Sequence, residues 1–104
     1  MSELDLDQLQ VNAQELKTLK GVLSSEVPGT SVIAFGSRVT GKSRSYSDLD
    51  LAIMTKTPLS LSKIASIKDA FDRSDLVWPV DIVDWSTTSE RFKKIIKAAY
   101  IRIQ

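Results

Sequence analysis

The apolar residues between positions 6 and 27 recur every three or four positions, which predicts one amphipathic helix over this segment. Asp5 and Asp7 suit its first turn because negative charge is favourable at a helix N-terminus. Pro28-Gly29 ends the helix, since neither residue continues a helix well. The residues expected on the buried face are Leu6, Leu9, Ala13, Leu16, Leu23 and Val27.

Shorter apolar runs predict strands at about 31–35, 49–54 and 80–84. A helix at about 60–73 follows Thr57-Pro58 and separates the second strand from the third. Its inward residues are expected to be Leu61, Ile64, Ala65 and Phe71.

A further helix is predicted to begin at a capping box formed by Thr87 and Glu90. Its apolar side carries Phe92, Ile95, Ile96 and Ala99. Tyr100 to Gln104 fit either the frayed end of this helix or a short edge strand. The order helix, strand, strand, helix, strand, helix predicts a minimal α/β layer structure in one domain.

Charge and composition exclude several classes of function. Fourteen Lys and Arg against 13 Asp and Glu leave a formal net charge of +1, whereas binding duplex nucleic acid normally requires a marked basic excess. The absence of histidine and cysteine excludes a Ser-His-Asp triad, a thiolate nucleophile and a Cys or His zinc site. Any metal must bind oxygen ligands, which favours Mg²⁺, Mn²⁺ or Ca²⁺.

The N-terminal segment does not resemble a targeting signal. Residues 1–7 are acidic, whereas a secretory signal is basic and then apolar. The longest apolar runs are also too short to span a bilayer. We therefore expect a cytoplasmic protein that does not insert into a membrane.

Asp48 and Asp50 occupy alternate positions where the second strand begins. Side chains alternate across a strand, so the two carboxylates share one face while Leu49 and Leu51 share the other. At a separation of about 6–7 Å their repulsion is about 2–3 kcal/mol at an effective dielectric near 20. An exposed pair at a turn is the structural alternative, but a divalent metal would relieve the repulsion.

The turn at Gly36-Ser37 favours metal and phosphate chemistry, because ten residues separate it from Asp48. A glycine followed by serine at a helix start offers backbone N–H groups that a phosphate can approach closely. The loop 36–47, with one helical turn after Gly36, contains no acidic residue. We expect Arg38, beside Ser37, to contact phosphate, whereas Lys42 and Arg44 fit a solvated basic loop.

Asp81 is the third candidate carboxylate, because it lies inside an apolar strand where an unpartnered charge is costly. If this strand lies beside the second, Asp81 faces the same pocket as Asp48 and Asp50. Asp84 points to the opposite face and is not expected to take part. Three aromatic residues are able to stack on a base, although packing suits them better: Tyr46, Trp78 and Trp85.

These motifs resemble the nucleotidyltransferase superfamily that includes DNA polymerase β and kanamycin nucleotidyltransferase. The segment GSRVTGKSRSYSDLDLAI resembles most closely the minimal nucleotidyltransferases, which are often encoded beside a HEPN-domain protein. The resemblance covers residues 30–84 and extends loosely through the last helix. Ser47 matches the residue before the first Asp, and Val39-Thr40 depart from the small residues usual there.

The resemblance implies the minimal nucleotidyltransferase fold, an α/β (α+β) domain over residues 1–104. This fold has a small mixed sheet of three to four strands flanked by about three helices. Asp48, Asp50 and Asp81 would be catalytic and would bind two Mg²⁺ ions, or Mn²⁺. The residues implied to bind the nucleotide are Gly36, Ser37, Arg38 and Ser47.

The implied reaction transfers AMP from ATP to an acceptor hydroxyl. The leading hypothesis is an antitoxin that modifies a tyrosine of a HEPN toxin encoded by the adjacent gene. Two alternatives remain open: a binding module that neutralises the HEPN partner by association, and transfer to a small molecule or an RNA end. A homo-oligomer and a hetero-oligomer are both compatible with the sequence.

Overall fold

Five strands and four helices make up the part of the chain that the computed structural model describes, residues 2–104. The strands are β1 (Glu3–Leu4), β2 (Val32–Phe35), β3 (Leu49–Ile53), β4 (Val80–Asp84) and β5 (Tyr100–Arg102). The helices are α1 (Ala13–Glu26), α2 (Ser37–Thr40), α3 (Leu61–Asp72) and α4 (Glu90–Ala98). Short 3₁₀ turns lie at Leu6–Gln8 and Trp85–Thr87. Met1 lies outside the described residues.

The strands form one mixed sheet in the order β1-β5-β2-β3-β4. β2 is antiparallel to both β3 and β5, whereas β3 runs parallel to β4 and β1 runs parallel to β5. α3 makes the long connection that two parallel neighbouring strands require. The end of β2 and the starts of β3 and β4 therefore meet at one end of the sheet, where the candidate site residues lie.

Each face of the sheet has its own apolar cluster. On one face, α1 and α3 pack on the sheet through Leu19, Leu23, Ile67 and Phe71, against strand residues that include Leu49, Leu51 and Ile53. On the other face, a smaller cluster joins α4 to the sheet and comprises Ile33, Phe35, Ala52, Ile96 and Tyr100. Because Asp50 alternates with Leu49 and Leu51, its carboxylate lies on the α4 face.

The prediction of one helix over residues 6–27 is wrong at its N-terminal end. α1 begins only after Asn12, whose side chain accepts a hydrogen bond from the Glu15 N–H at 2.7 Å while the Glu15 carboxylate accepts one from the Asn12 N–H. This capping box satisfies two free N–H groups at the helix start. Leu6 belongs to a separate 3₁₀ turn, where a spacing of three residues also brings side chains to one side.

The predicted mixed α+β architecture is confirmed, but the described residues contain five strands instead of three to four. The extra strand, β1, has only two residues, too few to show alternation. Tyr100 to Arg102 do form a strand, although it lies between β1 and β2 and not at the edge. The predicted loop with one helical turn after Gly36 is also present, as α2.

Two predicted details of the helices are wrong. Leu61 and Ala65 were expected to point inward, but both are exposed, Leu61 to 85% at the first position of α3. Ile67 and Phe71 make the buried contacts of this helix. The cap of α4 is Ser89, whose hydroxyl accepts a hydrogen bond from the Phe92 N–H at 3.2 Å. Thr87 instead ends the preceding 3₁₀ turn.

Within residues 2–104 no helix is both long enough and apolar enough to cross a membrane.

Candidate active site

Asp50 and Asp81 are direct neighbours across two parallel strands. Their Cα atoms are register partners in the ladder that pairs β3 with β4, and strand alternation therefore places both carboxylates on the α4 face. Asp48 precedes β3 by one residue and is exposed. Its carboxyl group is near enough to that of Asp81 to raise the pKa of Asp81. The structure therefore brings together the three carboxylates predicted from the sequence.

Gly36 joins this group from the end of β2. The residue before it, Phe35, is the register partner of Asp50 and closes the β2–β3 ladder. Gly36 has φ +83° and ψ −157°, a conformation that is essentially restricted to glycine. A Cβ atom at this position would lie 3.2 Å from Asp50 Cγ and would overlap the Asp50 carboxylate. The chain then enters α2 at Ser37, so the Gly-Ser turn and the carboxylates form one continuous site.

Negative charge accumulates at this site. Burial raises the pKa of Asp50, and the charges of Asp81 and Asp48 raise it further. The pKa of Asp81 is raised by its slight desolvation, by the hydrogen bond with Asp48 and by the charge of Asp48, and Lys68 partly opposes these effects. The ion pairs found among residues 2–104 leave all three carboxylates unpaired.

The donor set fits Mg²⁺ or Mn²⁺. Within residues 2–104, no group of three or more His, Cys, Asp or Glu side chains is arranged so that it could hold a metal ion. Mg²⁺ at phosphate-transfer sites is usually held by only one or two carboxylates, and substrate phosphates and water complete the octahedron. Uncompensated carboxylate oxygens on one face, with no nitrogen or sulfur ligand nearby, are the chemistry that such a site requires.

Arg38 has contacts that the sequence did not predict. It is only 5% exposed, and its guanidinium donates hydrogen bonds to the carbonyl oxygens of Ser47 (2.9 Å), Gln10 (2.6 Å) and Ser45 (3.1 Å). Its Cζ lies 4.4 Å from the centre of the Trp78 ring. Most N–H donors of Arg38 are therefore used inside the protein, which leaves little of the guanidinium free for the phosphate contact expected from the sequence.

Ser47 makes hydrogen bonds within the loop, whereas the two loop cations Lys42 and Arg44 are exposed. The Ser47 hydroxyl accepts a hydrogen bond from the Arg44 N–H at 2.7 Å, and the Ser47 N–H donates to the Arg44 carbonyl at 3.1 Å. Ser47 therefore closes the turn that leads into Asp48. The side chains of Lys42 and Arg44 are exposed, as the solvated-loop interpretation predicts.

Asp84 lies outside the site, as predicted. Ile53 is its register partner, so Asp84 lies on the opposite face from Asp50 and Asp81. Its carboxylate accepts hydrogen bonds from the Thr55 hydroxyl, the Leu59 N–H (2.7 Å) and Ser86 (2.7 and 3.0 Å). Burial raises the pKa of Asp84, but these hydrogen bonds outweigh it and lower the pKa overall.

Of the three aromatic candidates, two have contacts within the protein. Trp78 is buried, and its indole N–H donates to the Glu15 carboxylate at 3.1 Å. Trp85 lies beneath the ammonium groups of Lys93 (5.2 Å) and Lys97 (5.6 Å). Tyr46 is 75% exposed in the loop before Asp48.

Sequence reasoning missed the contribution of Gln10 to the loop that leads to the site. The Gln10 N–H donates to the Arg38 carbonyl at 2.9 Å, and the Gln10 side-chain oxygen accepts hydrogen bonds from Ser43. Gln10 is 28 positions before Arg38 in a segment predicted to be helical, so no local sequence signal could have indicated this contact.

Comparison with known proteins places this geometry in a family. Residues 17–103 match the family described as polymerase beta, nucleotidyltransferase. Over 97 residues the chain is 50% identical to a probable protein adenylyltransferase MntA of Haemophilus influenzae, covering 93% of this chain and 85% of the relative.

A solved structure described as a toxin–antitoxin with AMP-PNP has the same fold. Its TM-score with this chain is 0.73 at 19% identity, over 86% of this chain and 72% of the other. The carboxylate face and the Gly-Ser turn lie within the matched family region. The chain therefore belongs to the minimal nucleotidyltransferases of the polymerase beta nucleotidyltransferase family and is a nucleotidyltransferase.

Proposed function

We propose that this protein is an antitoxin that transfers AMP from ATP to a tyrosine hydroxyl of a HEPN-domain toxin in the cytoplasm. The observation that carries the proposal is the close approach of Gly36 to Asp50. It joins a phosphate-binding type of turn to a cluster of three carboxylates on one face of the sheet. The 50% identity with a probable protein adenylyltransferase supports a protein as the acceptor.

Asp48, Asp50 and Asp81 are proposed to hold two divalent ions, with Asp81 completing one of the sites. Bound Mg²⁺ would neutralise charge on the phosphates and lower the pKa of the acceptor hydroxyl. Gly36 and Ser37 would lie against the β- and γ-phosphates, where the absence of a side chain at position 36 allows close approach of the backbone. Catalysis would come mainly from positioning and from stabilisation of charge.

The proposed step is a single displacement at the α-phosphorus of ATP. The acceptor oxygen forms a bond to this phosphorus while the bond to the oxygen that bridges the α- and β-phosphates breaks. Pyrophosphate leaves, and the acceptor proton passes to Asp81 or to water.

The acceptor is proposed to be a protein because it would bring its own binding surface to the open carboxylate face. Asp48 and Asp81 are exposed, so a side chain of a docked protein can reach them without entering a deep pocket. The solved toxin–antitoxin structure with AMP-PNP has the same fold as this chain, which supports a toxin as the partner and ATP as the donor.

The direct test incubates the purified chain with ATP, Mg²⁺ and the product of the adjacent gene. Intact-mass spectrometry should find the partner heavier by adenylyl groups, and peptide mapping should locate them on tyrosine. Asp48→Asn and Asp50→Asn should each abolish the modification and the release of pyrophosphate. Asp75→Asn, which removes an exposed carboxylate that is not one of the three of the site, is the matched control and should modify the partner normally.

Two results would overturn the proposal. One is an unmodified partner in the presence of the wild-type chain. The other is neutralisation of the toxin by Asp50→Asn as complete as by wild type, which would establish neutralisation by binding alone.

A further inference from the structure

Arg38 contacts the two segments that lead into β3 and β4, the strands that carry Asp50 and Asp81. Its Nε donates to the carbonyl of Ser47, the residue directly before Asp48, and its Nη2 donates to the carbonyl of Ser45 and, at 3.5 Å, to that of Arg44. One side chain thus binds the carbonyl oxygens of Arg44, Ser45 and Ser47 in the loop that ends at Asp48. Asp48 itself precedes the ladder of β3, so this loop determines where its carboxylate lies.

The second segment leads into β4. The Arg38 guanidinium stacks on Trp78, and the carbonyl of the next residue, Pro79, accepts a hydrogen bond at 2.9 Å from the N–H of Leu49. Trp78 is fixed in turn by its hydrogen bond to Glu15 in α1. A shift of Arg38 would therefore disturb the segments before Asp48 and before Asp81 together.

We infer that Arg38 is a positioning residue that sets the relative placement of Asp48 and Asp81 for metal binding and does not bind the nucleotide. The inference rests on the proposed function, since it assumes that these carboxylates hold the metal. It replaces the phosphate contact expected from the sequence, because the guanidinium is buried and is bonded to four backbone carbonyls and one ring.

Replacing Arg38 should reduce different affinities, depending on whether it positions the carboxylates or contacts a phosphate. Residues that orient metal ligands typically change metal affinity 10–100-fold when they are replaced. A phosphate contact would instead weaken nucleotide binding even when no metal is present. Affinity for metal and affinity for nucleotide, measured separately, therefore distinguish positioning from direct contact.

The test measures Mn²⁺ binding by electron paramagnetic resonance in the presence of α,β-methylene-ATP, an analogue that does not react. Arg38→Gln should weaken Mn²⁺ binding at least about tenfold. Its affinity for a fluorescent ATP analogue in EDTA should stay within about twofold of wild type. Lys42→Gln is the matched control, because it removes one positive charge from the same loop at an exposed position, and its Mn²⁺ affinity should equal that of wild type.

A second variant covers the case in which Arg38→Gln does not fold. Arg38→Lys keeps the positive charge that a phosphate contact would need, but an ammonium group cannot reproduce the set of guanidinium hydrogen bonds to the Ser45, Ser47 and Gln10 carbonyls. It should weaken Mn²⁺ binding in the same direction by a smaller factor, with unchanged analogue binding in EDTA. Circular dichroism would verify that each variant is folded.

The inference is overturned if folded Arg38→Gln or Arg38→Lys binds Mn²⁺ as tightly as wild type, or if the affinity for the ATP analogue in EDTA falls by the same factor as the Mn²⁺ affinity. It is also overturned if the wild-type chain binds no Mn²⁺. Because no acceptor is present, an unmodified toxin partner would contradict the proposed function without changing the outcome for Arg38.

Discussion

Gly36 and Asp50 lie so close together that a Cβ atom at position 36 would overlap the Asp50 carboxylate. Gly36→Ala should therefore displace a proposed metal ligand and also force alanine into a backbone conformation that costs about 1–3 kcal/mol. We expect nucleotidyl transfer to fall by about a hundredfold or more, as a displacement of about 1 Å typically produces. Pyrophosphate release and thermal unfolding measure the two effects.

Gly29→Ala is the matched control for this substitution. Gly29 also has a positive φ, +76°, but a Cβ atom there would meet no other atom within 4 Å. Its backbone strain should lower the free energy of unfolding by about 1–2 kcal/mol and leave transfer per folded molecule unchanged. Equal activities for the two variants would show that the approach of Gly36 to Asp50 is not required.

Asp50→Asn should stabilise the metal-free protein although it abolishes activity. Burial and the charges of Asp81 and Asp48 disfavour the ionised form of Asp50. An uncharged amide at this position is less costly to bury and is not repelled by the neighbouring carboxylates. Since the site is open to solvent, the gain should not exceed about 1 kcal/mol, and thermal melts in EDTA would measure it. A lower melting temperature for Asp50→Asn would mean that this carboxylate makes stabilising contacts, and Asp75→Asn serves as the unchanged reference.

Metal together with a nucleotide analogue should reverse this order of stability. A ligand that binds only the folded state at about 100 times its dissociation constant stabilises by about 2.7 kcal/mol. Mg²⁺ with α,β-methylene-ATP should therefore raise the melting temperature of wild type well above that of Asp50→Asn. Mg²⁺ added to wild type should have little effect without the analogue, because no group of three or more ligating side chains among residues 2–104 is arranged to hold a metal ion. Equal shifts for the two proteins would exclude Asp50 as a ligand.

The central part of the fold was predictable because it is encoded locally. The strands at Val32–Phe35, Leu49–Ile53 and Val80–Asp84 are short apolar runs between turn residues, and the structure contains all three. The start of α1 was not predicted because Leu6 and Leu9 continue the helical spacing of the residues that follow. The Asn12–Glu15 capping box was a local signal that marks the true start and outweighs this periodicity.

The carboxylates of the site were predictable for the same reason, whereas the role of Arg38 was not. Strand alternation alone places Asp48 and Asp50 on one side, and the pairing of Asp50 with Asp81 requires only that two strands be neighbours. Arg38 is held by Gln10 and Trp78, which are 28 and 40 positions away in the chain. Its burial depends on those tertiary contacts, so the local sequence indicated only a cation beside a phosphate-binding type of turn.

Asp84 gives the last prediction, which separates stability from catalysis on a single strand. Asp84→Asn should lower the free energy of unfolding at pH 7 by about 1–3 kcal/mol, because the carboxylate accepts hydrogen bonds from Thr55, Leu59 and Ser86. Transfer per folded molecule should not change, since Asp84 lies on the opposite face from Asp81.

The pH dependence of the same variant follows from the lowered pKa of Asp84. In the unfolded chain this group titrates near its ordinary value of 3.8, and in the folded protein it titrates lower. Its stabilising contribution is therefore complete above pH 3.8 and is lost as the pH falls through the folded value. Urea unfolding of wild type and Asp84→Asn should show a difference that is constant near neutral pH and shrinks in acid. A difference independent of pH would mean that the hydrogen bonds do not depend on the charge of Asp84, and Asp72→Asn, at an exposed position, should show neither effect.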